Sequence, residues 1–253
     1  AKAKKQAKGK PPGRGFPWFL WLALPLVIAG IVAFVRIYPT NQPSSDNLEE
    51  PKTAIIDQLY SLQPNKAFVH QTTEQLEAYG FEVDLHQGDD VTVDFYRQLP
   101  SYGYKLIIFR AHSGLLGSEG ETIRRTCLFT NEPYSEAKHV TEQLSDQLAM
   151  ARIDEHHRWV FGIGDEFITQ SMEGEFDNTV IIMMGCSCLY LDDLAQAFTN
   201  KGASTYLGWD ATVDLSYVDD ATMSLIQNLC SKELTMGEAV AKTMAEMGPD
   251  PDY

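Results

Sequence analysis

The sequence predicts an α/β domain with a mostly parallel sheet in a three-layer arrangement, preceded by one transmembrane helix. Three observations predict it. From about residue 53 onward, short apolar runs alternate with amphipathic helical stretches, the pattern that lays helices on both faces of a parallel sheet. NTVIIMMGCSC at 178–188 is apolar almost throughout, as a strand buried on both faces requires. WFLWLALPLVIAGIVAFV at 18–35 carries no charge, close to the ~20 apolar residues that cross the hydrocarbon core.

Four segments follow: a basic tail (1–15), the membrane helix (16–38), a flexible linker (39–52) and the large domain (53–253). Trp18 and Trp21 at one end and Tyr38 at the other suit the membrane interfaces. Pro25 and Gly30 are tolerated, because the bilayer leaves the backbone no alternative to a helix. A cleaved signal peptide has a shorter apolar core and a small-residue cleavage site, whereas this stretch closes on Phe34, Val35, Arg36, Ile37 and Tyr38. A retained anchor is expected, held by membrane lipid around 16–38. Lys2, Lys4, Lys5, Lys8, Lys10 and Arg14 against the single Arg36 put the N-terminus in the cytoplasm and the domain outside. The basic run is read as a topology determinant in preference to a lipid-binding arm. TNQPSSDNLEEPK at 40–52 has no apolar periodicity and reads as a stalk.

The formal net charge of −15 understates the acidity of the domain, since beyond Arg36 there are 13 basic residues against 35 acidic ones. Such a surface repels phosphate, so nucleic acid is excluded as a partner. The four cysteines (Cys127, Cys186, Cys188 and Cys230) are too few and too irregular for a disulfide scaffold or zinc ribbon.

Along the domain, AIIDQLY (54–60) is the first strand. The next stretch, 65–80, is a helix with Phe68, Val69, Thr72, Leu76 and Tyr79 near helical spacing and Gly80 as its stop. FEVDLH (81–86) is the second strand, 89–103 a short helix broken at Pro100, and YKLIIFRAHSG (104–114) a third strand running into a loop. CLFTN (127–131) is a hairpin or edge strand, and a helix is expected from about Ser135 to Arg152. WVFGIGDEFITQSM (159–172) fits either state. After the strand at 178–188, DDLAQAFTNKG (192–202) is a helix, ASTYLGWDATV (203–213) a strand, and two more helices end the chain. The sheet should have five or six strands.

In such sheets reactive groups gather at the carboxyl ends of central strands. Two apolar strands end there in reactive residues, YKLIIFRA in His112 and NTVIIMMG in Cys186. A thiol becomes a strong nucleophile when an imidazole and a helix N-terminus lower its pKa, and a helix beginning near Leu189 to Asp193 would supply that terminus. Backbone N–H groups at Ser113–Gly114 and Cys186 would hold an oxyanion. Taken singly, a buried Cys or a lone His is more often packing. As a pair on this topology they read as catalytic.

LIIFRAHSG and, later, VIIMMGCS resemble the two motif strands of the caspase-like clan, which includes separases, gingipains and CHAT-type peptidases. The resemblance covers about residues 54–245. KGASTYLGWDATVD resembles the following strand with its Trp-Asp loop, and the MSLIQNL and MGEAVAK helices resemble the end of a CHAT domain. It implies a caspase-like fold with Cys186 as nucleophile and His112 as base. Gly114 and Cys186 would hold the oxyanion, and Asp210 or Asp214 would meet a basic side chain of a peptide substrate. Two departures accompany it: Ser113 intervenes before Gly114, and Cys188 replaces the small residue usual two positions after the nucleophile. The resemblance therefore leaves open a catalytically silent accessory subunit of a membrane complex, whose helix offers Pro25, Ala29, Gly30 and Ala33 to a partner. A redox role for Cys186 and Cys188 is the weaker third reading.

No cofactor or metal is expected. Asp154, Glu155, His156 and His157 form a compact group, but adjacent histidines point apart and no third ligand has suitable spacing. GIGD (162–165) lacks the rest of a nucleotide fingerprint, and Cys186-x-Cys188 is not a CxxC. His70, His86 and His139 read as filler.

Overall fold

The computed structural model describes residues 50–116, 125–231 and 234–251. The tail, the 16–38 span and nearly all of the linker lie outside them; among the described residues no helix is long and apolar enough to cross a membrane.

The domain opens with β1 (Lys52–Asp57), a strand buried beyond its first residue. It stops short of Tyr60 because the chain turns, Tyr60 N donating to Asp57 O at 3.3 Å. Helix α1 (Lys66–Tyr79) starts where the Asn65 side chain accepts from Phe68 N and ends on the left-handed Gly80. Phe68, Val69, Thr72 and Leu76 form its buried stripe, while Tyr79 remains 57% exposed. After β2 (Glu82–Gln87), Thr92 caps α2 (Val93–Gln98), and Pro100 sits in a 3-10 turn over Leu99–Tyr102.

β3 (Leu106–Arg110), β8 (Val180–Met183) and β9 (Thr205–Leu207) complete a five-stranded sheet in the order β2-β1-β3-β8-β9. Every neighbouring pair in it is parallel. Strand alternation assigns its side chains to two cores. Ala54, Ile56, Ile107, Phe109, Ile181 and Met183 enter one, and Ile55, Leu106, Ile108, Ile182 and Met184 the other. Helices α1, α6 (Leu215–Ser231) and α7 (Met236–Met247) cover the second core. Helices α2, α4 (Asp165–Gln170) and α5 (Asp193–Asn200) contribute to the first, giving an α/β domain with helices on both faces. The apolar runs are strands only over their central four or five residues.

The middle of the chain departs from expectation. The segment after His112 is not a loop but β4 (Ser113–Leu116), the start of a second, antiparallel sheet. That sheet has the order β4-β5-β7-β6, with β5 (Arg125–Pro133) and β7 (Val160–Ile163) internal. The helix expected over 135–152 shrinks to α3 (Val140–Leu144), followed by β6 (Leu148–Ala151). Asp146 adopts a left-handed φ of 57°, which ends the helical path, and LAMA then pairs with β7 from Leu148↔Ile163 to Ala151↔Val160. The strand expected over 203–213 stops at Leu207. The following glycine, Gly208, lies so close to Cys188 that an added Cβ would sit 2.6 Å from its sulfur.

Candidate active site

β3 and β8 are neighbours at the centre of the parallel sheet, with Phe109 opposite Met183 and Met184 N donating to Phe109 O at 2.9 Å. Three residues further on, the same register brings His112 beside Cys186. The two chains remain joined there, the Ser113 hydroxyl donating to the Cys186 carbonyl at 2.6 Å. Only glycine fits between them: a Cβ on Gly185 would lie 2.7 Å from Ala111 O and 3.0 Å from Ser113 Cβ, and closer still to Ser113 Oγ. Immediately after Cys186, Ser187 holds a left-handed φ of 54°, a conformation a non-glycine residue keeps only when its surroundings enforce it. Here Ser187 N donates to Ala211 O at 2.8 Å and Leu189 N to Trp209 O at 2.8 Å. The thiol thus sits on a tight turn pinned to the 208–213 loop, half-buried, with its sulfur 3.6 Å from Val213 O.

His112 occupies the step between the two sheets. Its N–H donates to Gln58 Oε1 at 3.0 Å and its carbonyl accepts from Phe129 N at 3.0 Å. Gln58 is fixed in turn by Asn131: Gln58 Nε2 donates to Asn131 Oδ1 at 2.7 Å, and Asn131 Nδ2 returns a bond to Gln58 O at 2.7 Å. The imidazole centroid is 6.0 Å from that of Phe129. Burial, helped by nearby His157 and Arg110, lowers the His112 pKa to about 4. At neutral pH the ring is uncharged, and with so low a pKa it is a weak base. Among the described residues no hydrogen bond joins this ring to the Cys186 thiol.

Sequence reasoning missed the charged cluster at the carboxyl ends of β1 and β3, where the strand order reverses. Arg110 is 1% exposed and bridges two buried carboxylates, with Nη1 on Asp57 Oδ1 at 3.0 Å, Nε on Asp219 Oδ1 at 2.8 Å and Nη2 on Asp219 Oδ2 at 3.0 Å. Asn65 Nδ2 adds a bond to Asp219 at 2.8 Å. Asp57 Oδ2 is buried without a partner, and burial raises the Asp57 pKa despite Arg110. The signal was present, since AIID and LIIF-R each close an apolar strand with one charge. The cluster clamps α6 across β1 and β3, directly behind His112.

The remaining sequence candidates are dispersed. Gly114 is the second residue of β4, paired with Cys127 and with its N–H near that buried thiol, whose pKa burial pushes up to about 12. Cys188 is wholly buried; its sulfur lies 3.1 Å from Gly185 O and accepts from Trp209 N at 3.2 Å, and burial raises its pKa to about 11. Asp214 caps α6, accepting from the Ser216 hydroxyl, from Tyr217 N at 3.1 Å and from Ser216 N at 2.8 Å, which lowers its pKa. Asp210 is exposed at the rim of a cleft of about 480 Å³. The helix expected to begin between 189 and 193 starts at the late end of that range, with Asp193 Oδ2 accepting from Thr126 N at 2.5 Å. His157 Nδ1 lies 2.8 Å from Asp154 Oδ1 in an exposed turn, and among the described residues no group of three His, Cys, Asp or Glu is placed to hold a metal ion.

No family model matches the chain, and no curated protein matches it. Among solved structures, a flavodoxin of Streptococcus pneumonia TIGR4 aligns over 76% of this chain and 98% of its own, at 10% identity and a TM-score of 0.29. A likeness at that level carries no argument about activity.

Proposed function

We propose that the domain is a caspase-like cysteine endopeptidase, anchored in a membrane by residues 16–38, in which His112 and Cys186 act as base and nucleophile. The observation that supports this most is the pairing of β3 with β8, which carries both residues to one edge of the sheet with Ser113 bonded across to Cys186. In the reaction the neutral imidazole takes the thiol proton as sulfur attacks the scissile carbonyl, then delivers it to the leaving amine. The Cys186 N–H, on its strained turn, is the proposed oxyanion donor, because the Gly114 N–H is already directed at the Cys127 thiol within the second sheet. Asp210, free of side-chain partners among the described residues, is the better placed of the two acids to meet a basic side chain, because Asp214 is committed to its helix.

A catalytically silent accessory subunit is the second reading. The half-buried, uncharged and weakly basic His112 ring beside Phe129, with no hydrogen bond to the thiol among the described residues, favours it. Labelling with an electrophilic peptide probe separates the two. An active dyad gives modification of Cys186 that His112→Ala abolishes, whereas labelling indifferent to His112 leaves the silent subunit. For an active enzyme, Asp210→Lys abolishes cleavage after Arg or Lys without affecting probe labelling; equal turnover of basic and apolar peptides by the native protein would remove the specificity claim.

A further inference from the structure

β9 is the last strand of the parallel sheet, and beyond Thr205–Leu207 no described strand pairs with it. A sheet edge left open presents a row of backbone donors and acceptors ready to take an extended segment. Beside this edge lies the cleft of about 480 Å³, walled by Ile182, Leu207 and Trp209 on the sheet side and by Leu225, Val240 and Met244 from α6 and α7. Its volume is in the range of preformed ligand sites. The carboxylate in the wall is Asp210, and the chain beyond Arg36 has a large acidic excess. A strand added to β9 would alternate its side chains across the sheet edge, so that residues two apart share the cleft face, one filling the cleft while the other reaches Asp210 in its wall.

We propose that the β9 edge and its cleft bind an extended polypeptide segment carrying an aliphatic or aromatic side chain, which fills the cleft, two residues away from a Lys or Arg that pairs with Asp210. The cleft wall at Gly208–Asp210 belongs to the loop that pins the Cys186 turn, through Leu189 N to Trp209 O and Ser187 N to Ala211 O, both at 2.8 Å. A segment bound there therefore lies beside the loop that holds the thiol's turn. The inference rests on the peptidase reading only for the meaning of that proximity; binding itself needs no bond cleavage.

The test uses the full chain carrying Cys186→Ala and a fluorescein-labelled peptide, Thr-Lys-Thr-Leu-Thr-Lys-Thr, followed by fluorescence anisotropy. The expected result is saturable binding that weakens at least about tenfold when alternate peptide nitrogens are methylated, the loss of one or two ladder hydrogen bonds. Replacing both peptide lysines by glutamate, or introducing Asp210→Asn or the half-exposed Met244→Lys, should weaken it comparably, with circular dichroism confirming that each variant is folded. No saturable binding, or binding indifferent to methylation and to charge, overturns the proposal. So does concentration-dependent dimerisation through this edge that leaves it closed to the peptide. If the peptide binds as expected but the native chain cleaves nothing, the peptidase reading fails and this inference stands; cleavage that ignores Asp210→Asn and Met244→Lys would leave the peptidase reading and remove this one.

Discussion

Replacing Arg110 by methionine tests how the charged cluster behind His112 is held. The change removes three hydrogen bonds of 2.8 to 3.0 Å and leaves Asp57 and Asp219, at 1% and 2% exposure, without their cation. Asp219 keeps Asn65 at 2.8 Å, but Asp57, with one oxygen already unpartnered, loses its only side-chain donor. Breaking a buried pair from one side costs about 3–5 kcal/mol, and that is the loss expected at pH 7 in urea unfolding of the full chain. The pH dependence carries the diagnosis. In the variant the Asp57 carboxyl, raised by burial and no longer opposed by Arg110, has a pKa above its unfolded one, so the folded state binds more protons and stability falls as pH rises through that value. The deficit should therefore shrink by a kcal/mol or more, about one pKa unit of linkage, when measured at pH 4.5. Adding Asp57→Leu and Asp219→Leu should recover most of it, because an apolar replacement of the whole cluster leaves no charge stranded. A loss below about 1 kcal/mol at pH 7, or one equal at both pH values, would refute the reasoning.

Three further outcomes are expected. His112 titrates near pH 4 when folded, below its unfolded value, so the unfolded state binds more protons between about pH 6.5 and 4 and stability falls as pH drops through that window, by at most roughly 3 kcal/mol; His112→Gln should lose this acid sensitivity in paired unfolding curves at pH 7 and 4.5. Gly185→Ala should destabilise by roughly 1–3 kcal/mol through the clash with Ala111 O and the Ser113 side chain, and Ser113→Gly added to it should recover only part, because the carbonyl stays. Asp214→Ala should cost about 1 kcal/mol as a lost helix cap while leaving probe labelling of Cys186 unchanged; a labelling defect of equal size would assign Asp214 to the site instead.

The parallel sheet was legible because its inner strands β1, β3 and β8 are apolar on both faces, and α1 because Asn65 and Gly80 bracket an apolar stripe. The antiparallel sheet was not. Thr126, Thr130 and Asn131 interrupt β5 with polar residues whose burial depends on partners far away in sequence, Thr130 Oγ1 on Phe161 O and Asn131 on Gln58 and Gly88. LAMA in β6 has good helix propensity and becomes a strand only because β7 lies beside it. At the site, the chain order of strands and charges pointed to His112 and Cys186, but spacing alone could not reveal that Asp214 faces its own helix or that Gly114 belongs to a second sheet. Those assignments depend on a turn and a register, which no local pattern encodes.

The position of the antiparallel sheet in the chain bears on how the molecule assembles. All four of its strands lie between β3 and β8, the central pair, whose ends meet across 75 residues where Thr179 Oγ1 bonds Tyr104 O at 2.6 Å. Closing so long a loop slows folding, since its entropy must be lost before the contacts form. Within the insert, β6 and β7 follow one another closely and can pair early. Once that small sheet has condensed, the stretch that β3 and β8 must still bridge is much shorter in effect. Substitutions that loosen β5 or β7 should therefore delay the arrival of Cys186 beside His112 even where the finished domain tolerates them.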